Sequence, residues 1–234
     1  MKELEEKIKA FCGSKIIQGP LKGLHLDPIE RYGPAHVILK WLGTYEQVLH
    51  RHLNYELHQN HDAFISFGCG DGYYGAGFKS RNPEADVVFV DIDQTCEAEV
   101  QRTCAANGIT EYDFFLHLSC ENIHRILGAY SNPWIFVDIE GAEVDVLDPQ
   151  NAPGLTNATI TVEMHDCFRM GVTNELIARF ENTHKILNIV DDWKKVLPAL
   201  SNEIQLSGEV LDFIKYERRC TRMNWLHMTP LKGV

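Results

Sequence analysis

The sequence predicts an α/β protein built around a doubly wound, mostly parallel sheet. Three short apolar runs, at 64–68, 87–91 and 134–138, each end abruptly in glycine or in a carboxylate. Runs of this kind are typical of strands that are buried on both faces. From residue 62 onward, strand-like and helix-like segments alternate, which indicates βαβ units with right-handed crossovers. Because ligands bind at the carboxyl ends of the strands in such sheets, the three run ends mark the expected site.

The N-terminal 60 residues are predicted to be mainly helical. In the first segment, apolar side chains recur at helical spacing, at Leu4, Ile8 and Phe11. A second short helix is expected over 36–42. Thr44 and Gln47 then fit a capping box at the start of a third helix, whose four histidines we expect to face solvent. We expect residues 1–60 to form a helical cover over a main domain at 61–234.

Beyond residue 60, seven strands are expected, most of them separated by helices. The strands are predicted at 63–68, 86–91, 113–118, 134–139, 158–163, 184–190 and 224–228. The helices are predicted at about 74–81, 94–107, 121–128, 141–147 and 174–182. Between residues 191 and 222 the hydrophobic pattern assigns no element.

The composition limits the classes of protein that are expected. The chain carries a net charge of −11 and no run of Lys or Arg, which argues against nucleic acid as a partner. No apolar run approaches the length of a membrane span, and the charged start of the chain does not fit a signal peptide. Seven cysteines without a CxxC pair are typical of reduced thiols. We therefore expect a cytoplasmic protein with no membrane partner, and the sequence does not indicate its oligomeric state.

A glycine-rich turn follows the first predicted strand and ends in two tyrosines. Its glycines at positions 70, 72 and 75 fit a GxGxxG pattern, which is compatible with a dinucleotide, with a smaller nucleoside cofactor, or with a tight turn alone. Tyr73 and Tyr74 are bulky for a pyrophosphate cradle and could instead line a pocket for a smaller group. Asp91 ends the second strand, 19 residues beyond Gly72. A carboxylate there can accept hydrogen bonds from both hydroxyls of a ribose.

Acidic side chains also follow the fourth and fifth predicted strands. Asp138 ends an apolar strand, so it is expected at the mouth of the sheet. Glu140 and Glu143 fall in the first turn of the next helix, where the helix dipole favours carboxylates and explains Glu143 well. Glu163 and His165 lie two residues apart on one strand and therefore share a side. With Asp138 they form a possible metal-binding or acid–base cluster.

Read together, these segments resemble the FkbM family of S-adenosylmethionine-dependent methyltransferases. The most specific match is Val137-Asp-Ile-Glu-Gly-Ala-Glu143, which is close to the hallmark of that family. Residues 67–74 resemble its glycine motif, and the resemblance spans roughly 40–190. The sequence departs from the family pattern at three positions, with Ser66 in place of an acid, Ile92 in place of proline and Val137 in place of lysine.

The resemblance implies a class I methyltransferase fold, Rossmann-like, with seven strands of which the last is antiparallel. It also implies that S-adenosylmethionine is the cofactor. The residues expected to bind it are Gly68, Gly70, Asp71, Gly72, Tyr73, Asp91, Ser119 and Asp138. Because Ser66 replaces the usual acid, Asp71 or Asp138 is expected to hold the amino end of the cofactor instead.

The activity implied is methyl transfer to a hydroxyl of a small-molecule substrate, such as a sugar or a secondary metabolite. Asp138, Glu163 and His165 are the expected catalytic residues. Their positions, together with that of Asp166, resemble the divalent-metal corner of catechol-type O-methyltransferases. A divalent metal ion at these three residues is therefore a further expectation. The alternatives are an N-methyltransferase, a non-catalytic binding subunit, and a nicotinamide-dependent oxidoreductase. The oxidoreductase is disfavoured because the residues after the glycine turn complete one sheet and leave no substrate domain.

Overall fold

The computed structural model describes residues 2–27, 33–117, 119–217, 219 and 222–231, which include one seven-stranded sheet. The strands are β1 Ala63–Phe67, β2 Asp86–Val90, β3 Asp113–Phe115, β4 Pro133–Val137, β5 Thr159–Met164, β6 His184–Val190 and β7 Asn224–Pro230. Their order in the sheet is β3-β2-β1-β4-β5-β7-β6. The first five strands pair in parallel, whereas β7 is antiparallel to both β5 and β6. This arrangement confirms the predicted fold class.

Nine α-helices are assigned among the described residues. They are α1 Lys2–Cys12, α2 Gly33–Trp41, α3 His50–Glu56, α4 Tyr73–Arg81, α5 Thr95–Ala106, α6 Cys120–Leu127, α7 Glu143–Val146, α8 Val172–Phe180 and α9 Gly208–Tyr216. Two 3₁₀ turns, Gln47–Leu49 and Pro153–Asn157, complete the elements. The predicted helices agree to within a few residues, while α9 lies in the stretch that the pattern left unassigned. The predicted third strand extended to residue 118, which lies outside the described residues.

The strand order reverses at β1, which lies between β2 and β4. There the loop after β1 approaches the loop after β4 very closely. A Cβ atom added at Gly68, whose φ is +72°, would lie 1.7 Å from the carbonyl oxygen of Asp138. Only glycine fits that position, since both the backbone conformation and the contact exclude a side chain. The close approach brings the ends of β1 and β4 to one crevice.

The N-terminal segment packs on one face of the sheet, but two of its details differ from the prediction. Ile8 is fully buried, whereas Phe11 is 42% exposed and is not a core residue. The predicted capping box is wrong. The Thr44 hydroxyl donates to the carbonyl of Leu39, and the Gln47 side chain bonds the backbone of Val196. Thr44 therefore forms a contact within the N-terminal segment, and Gln47 links that segment to the residues after β6.

A buried polar network joins α3 to β7, and it corrects the expectation that all four nearby histidines face solvent. His58 is exposed, whereas His61 is buried. Glu56 and His61 are 2% and 6% exposed. The Glu56 carboxylate lies 2.7 Å from Nε2 of His61 and 3.0 Å from Nε2 of His227. In the part of the chain that the structure describes, no helix is long and apolar enough to cross a membrane.

Candidate active site

A cavity of about 790 Å³ opens at the carboxyl ends of β1, β2 and β4. Seven of the eight residues predicted to bind the cofactor line it, namely Gly68, Gly70, Asp71, Tyr73, Asp91, Ser119 and Asp138. The eighth, Gly72, is not part of the lining. It precedes α4 with a φ of +78°, and a Cβ atom there would lie 3.3 Å from the Val100 side chain. Gly72 therefore permits the turn rather than a ligand contact.

Asp91 is held at the end of β2 by two backbone amides. The Gly70 amide donates to one carboxylate oxygen at 3.0 Å, and the Asp93 amide donates to the other at 2.9 Å. Each oxygen retains a further lone pair that a ligand hydroxyl can use. The neighbouring Ile92 is 87% exposed and lines the same cavity. The arrangement presents an oriented acceptor beside an apolar surface, as a nucleoside requires.

Asp71 is paired with a residue that sequence reasoning missed. The Nζ atom of Lys40, on α2, lies 2.5 Å from Oδ2 of Asp71, and both side chains are buried. Burial raises the pKa of Asp71, but the charge of Lys40 and the hydrogen bonds from Lys40 and from the Tyr73 amide outweigh it, so the net shift is downward. His36, Lys40 and Tyr45 all line the cavity. The one signal in the sequence was a lysine within an apolar helix.

Asp138 lines the cavity and places one of its carboxylate oxygens toward His165. Its Oδ1 atom is buried and has no hydrogen-bond partner among the described residues. Burial and the negative charge of Glu46 raise the pKa of Asp138 to about 7, although His165 and Arg219 act in the opposite direction. A carboxylate with a pKa near neutral pH can accept a proton from a substrate and release it again.

The structure brings together the three residues of the predicted cluster. One donor atom each of Asp138, Glu163 and His165 can be chosen so that all lie within 4.8 Å of one another. Nε2 of His165 is 3.6 Å from Asp138 Oδ1 and 3.7 Å from Glu163 Oε2. Of the three residues, only Asp138 lines the cavity. Glu163 and His165 are each 3% exposed and lie behind it.

Glu143 and Arg219 also contact the cluster, and sequence reasoning assigned neither of them to it. Glu143 Oε1 lies 2.6 Å from Nδ1 of His165 and fixes the imidazole. The guanidinium of Arg219 pairs with Glu163 and also with Glu46, the latter at 2.6 Å. Arg219 already balances the charge of Glu163, which disfavours a cation at the same carboxylate. The spacing of the donor atoms is therefore the sole observation in favour of a metal ion at this cluster.

The Asp166 side chain stabilises the loop after β5 and does not join the cluster. The Asp166 carboxylate accepts hydrogen bonds from the Gly171 amide and from the hydroxyl of Thr173. The loop leaves Phe168 67% exposed and Met170 94% exposed. The Phe168 ring stacks on His165 with 5.7 Å between the ring centroids. Apolar side chains are thus presented next to the acidic cluster.

Comparisons with known proteins match part of this chain. Residues 43–133 match the family model described as "Methyltransferase small domain". Ribosomal RNA small subunit methyltransferase C of Pseudomonas syringae pv. tomato is 47% identical over 45 residues, which are 19% of this chain and 14% of that protein. The protein of the same name from Pseudomonas fluorescens is 34% identical over 94 residues, 40% of this chain and 25% of its own length. This chain thus covers a quarter or less of the length of these curated relatives.

Among solved structures, an rRNA methylase from Streptococcus thermophilus matches with a TM-score of 0.51 at 10% identity, over 79% of this chain and 96% of that one. That similarity concerns the fold, and it agrees with a class I methyltransferase sheet. Together with the family model, it supports the predicted enzyme class, an S-adenosylmethionine-dependent methyltransferase. The matching model is not that of the FkbM family, so the finer resemblance stays a prediction.

The exclusion of nucleic acid as a partner is wrong. It rested on the net charge of −11, yet the relatives that match in sequence are named for ribosomal RNA. Net charge averages over the whole surface, whereas recognition depends on local potential and on contacts at the site. An acidic chain can therefore belong among relatives with an RNA substrate.

Proposed function

We propose that this chain transfers a methyl group from S-adenosylmethionine, bound in the 790 Å³ cavity, to a protonated oxygen or nitrogen of an acceptor. The observation that supports this proposal most strongly is that three separate strand ends contribute to one cavity. The glycine turn after β1, Asp91 after β2 and Asp138 after β4 all line one cavity. Asp91 would accept hydrogen bonds from the ribose hydroxyls, while Ile92 and Ser119 would flank the adenine.

The charge of the cavity suits the reactive form of this cofactor. Carboxylates of Asp91, Asp138 and Glu140 line it, and the sulfonium of S-adenosylmethionine is a cation. The product, S-adenosylhomocysteine, is a neutral thioether at that atom. Electrostatic attraction in a partly buried site therefore favours the substrate form of the cofactor over the product form.

Asp138 is the proposed base. Methyl transfer is an in-line displacement in which the acceptor atom attacks the methyl carbon and the C–S bond breaks. The leaving thioether needs no proton, so the protein mainly aligns the reactants and removes the acceptor proton. The Asp138 carboxylate, which lines the cavity, would take that proton. His165 and Glu163 lie behind Asp138 and would position it and set its charge.

Two acceptor classes have support from different observations. The FkbM resemblance favours a hydroxyl on a small molecule, with an amine as the next choice. The curated relatives favour ribosomal RNA, and the exposed Phe168 beside the cluster offers a ring on which a base could stack. The predicted metal ion rests on donor spacing alone, so no step is assigned to it.

The proposal is tested by binding and then by turnover. Calorimetry should show saturable binding of S-adenosylmethionine and none of NAD. The protein is then supplied in parallel with hydroxylated metabolites and with ribosomal RNA, and the release of S-adenosylhomocysteine is measured. Binding of NAD in place of S-adenosylmethionine would overturn the proposal. Cofactor binding without turnover on either acceptor set would point to the non-catalytic alternative.

A further inference from the structure

A buried ion pair forms part of the cavity wall, and it joins the N-terminal segment to the glycine turn. Lys40 comes from α2 and Asp71 from the turn before α4, and Nζ lies 2.5 Å from Oδ2. The two side chains are only 4% and 8% exposed. Both residues nevertheless line the cavity, so a ligand bound there lies beside this pair.

The two charges are held in place from both sides. The Tyr73 amide donates to the second oxygen of Asp71 at 3.1 Å. Lys40 Nζ lies 4.8 Å from the centre of the Tyr73 ring and 5.1 Å from that of Tyr45. A buried ion pair is often no more stabilising than apolar residues of similar size, because both ions lose their hydration. Stability of the fold alone is therefore a weak explanation for this pair.

The cavity holds an excess of negative charge apart from this lysine. Lys40 is the only lysine or arginine among the described residues that line it. His36 does not add a cation at neutral pH, because burial and the charge of Lys40 lower its pKa to about 3. A ligand carboxylate bound here would face Asp91, Asp138 and Glu140. It would need Lys40 as its counterion.

We propose that Lys40 and Asp71 together bind the amino-acid end of S-adenosylmethionine. That end is a zwitterion, and its carboxylate and ammonium groups match the adjacent positive and negative side chains. Lys40 takes the carboxylate and Asp71 takes the ammonium, so the contact between them is exchanged for two contacts with the ligand. This inference rests on the proposed cofactor. It gives Asp71 the task of the acid that Ser66 replaces, and it makes α2 part of the cofactor site.

The test removes the carboxylate from the ligand and, separately, the lysine charge that is proposed to bind it. Calorimetry on the full chain compares S-adenosylmethionine, its decarboxylated analogue and 5′-methylthioadenosine, which lacks the whole amino-acid end. For the wild-type protein, loss of the carboxylate should weaken binding about 10- to 100-fold, the value of a hydrogen bond to a charged group. Lys40→Met should weaken binding of S-adenosylmethionine by a similar factor and leave the decarboxylated analogue unaffected, as expected for a directly coupled pair.

Two variants serve as controls. Lys40→Arg keeps the charge and should retain most of the preference for the carboxylate. Lys79→Met removes another buried lysine, which donates to the Ala85 carbonyl and does not line the cavity, and it should leave the ligand preference unchanged.

The inference is overturned if wild-type protein binds S-adenosylmethionine and the decarboxylated analogue equally. This comparison uses only wild-type protein, so it tests the inference even if Lys40→Met does not fold. A uniform loss of affinity for all three ligands in Lys40→Met would also overturn it, since that result indicates a structural role. Failure of the wild-type protein to bind both S-adenosylmethionine and 5′-methylthioadenosine would instead refute the proposed function.

Discussion

Glu143 holds His165 through a contact of 2.6 Å between Oε1 and Nδ1. The same oxygen accepts a hydrogen bond of 2.9 Å from the Gly141 amide, and Glu143 is fully buried. One carboxylate therefore fixes both the loop after β4 and the imidazole behind Asp138. The helix dipole is a sufficient reason for a glutamate at this position in the sequence. It does not account for the two contacts that Glu143 makes in the structure.

Asp138→Asn should abolish most turnover. The substitution keeps the size of the side chain and removes the proposed base, so turnover should fall by about 10²- to 10⁴-fold. Release of S-adenosylhomocysteine measures the loss, and calorimetry should show a much smaller change in cofactor affinity. Asp212→Asn, at an exposed position on α9, is the matched control. Full turnover in Asp138→Asn would show that another group accepts the proton.

Wild-type turnover should rise with pH through about 7, and Glu143→Gln should move that rise to higher pH. Burial lowers the pKa of His165, but Glu143 and Asp138 outweigh it and raise the pKa above its usual value. Without the Glu143 charge, His165 loses its proton more easily. Asp138 then loses a cation that lowers its own pKa, so its pKa rises further.

The measurement for Glu143→Gln is the pH profile of the turnover rate, which a merely structural role would not shift. Glu175→Gln removes a carboxylate that pairs with Arg179 on α8, and its profile should match that of the wild-type protein. A profile of unchanged midpoint in Glu143→Gln would mean that His165 does not tune Asp138.

Much of the site was predictable because it lies at strand ends, where the apolar runs stop. The meeting of Asp138 with Glu163 and His165 follows from the shared edge of parallel strands and from the period of two along β5. Lys40 and Arg219 were missed for the opposite reason. Each forms ion pairs with residues more than 30 positions away, and no local pattern encodes such a pairing.

Turnover should persist in excess chelator. The guanidinium of Arg219 pairs with Glu163 and neutralises one of the three predicted metal ligands. Proton transfer to Asp138 needs no metal. The assay is release of S-adenosylhomocysteine before and after treatment with EDTA, with bound cofactor measured in parallel. Loss of activity that added Mn²⁺ or Mg²⁺ restores would establish the metal site predicted from the sequence.

Glu56 should stabilise the fold at neutral pH and lose that effect in acid. Burial raises its pKa, but hydrogen bonds with His227 and His61 prevail and lower the pKa to about 2. Because the folded pKa lies below the usual value of 4.5, the stabilisation is present above pH 4.5 and fades as pH falls toward 2. It should amount to about 3 kcal/mol.

Urea unfolding of wild-type protein and Glu56→Gln at several pH values measures this contribution. The difference in unfolding free energy should be largest at pH 7 and should shrink below pH 4.5. His52, whose ring lies 5.5 Å from that of His227, also faces this network, so His52→Gln is a useful reference for the histidine contribution. A difference that does not change with pH would show that Glu56 acts by packing rather than by charge.

Asp91→Ala should weaken binding of S-adenosylmethionine more than Asp93→Ala does. Asp91 lines the cavity, and its two oxygens are oriented by the amides of Gly70 and Asp93. Each hydrogen bond between a ribose hydroxyl and this charged acceptor should contribute about 1.5–3 kcal/mol, so the loss should be at least about tenfold. Asp93 instead accepts hydrogen bonds from the amide and the hydroxyl of Thr95 at the start of α5.

Calorimetry with S-adenosylmethionine, and with adenine as a ligand without ribose, separates a ribose contact of Asp91 from a structural role of this residue. Adenine should bind wild-type protein and Asp91→Ala equally, and equal losses for both ligands would place the ribose contact elsewhere.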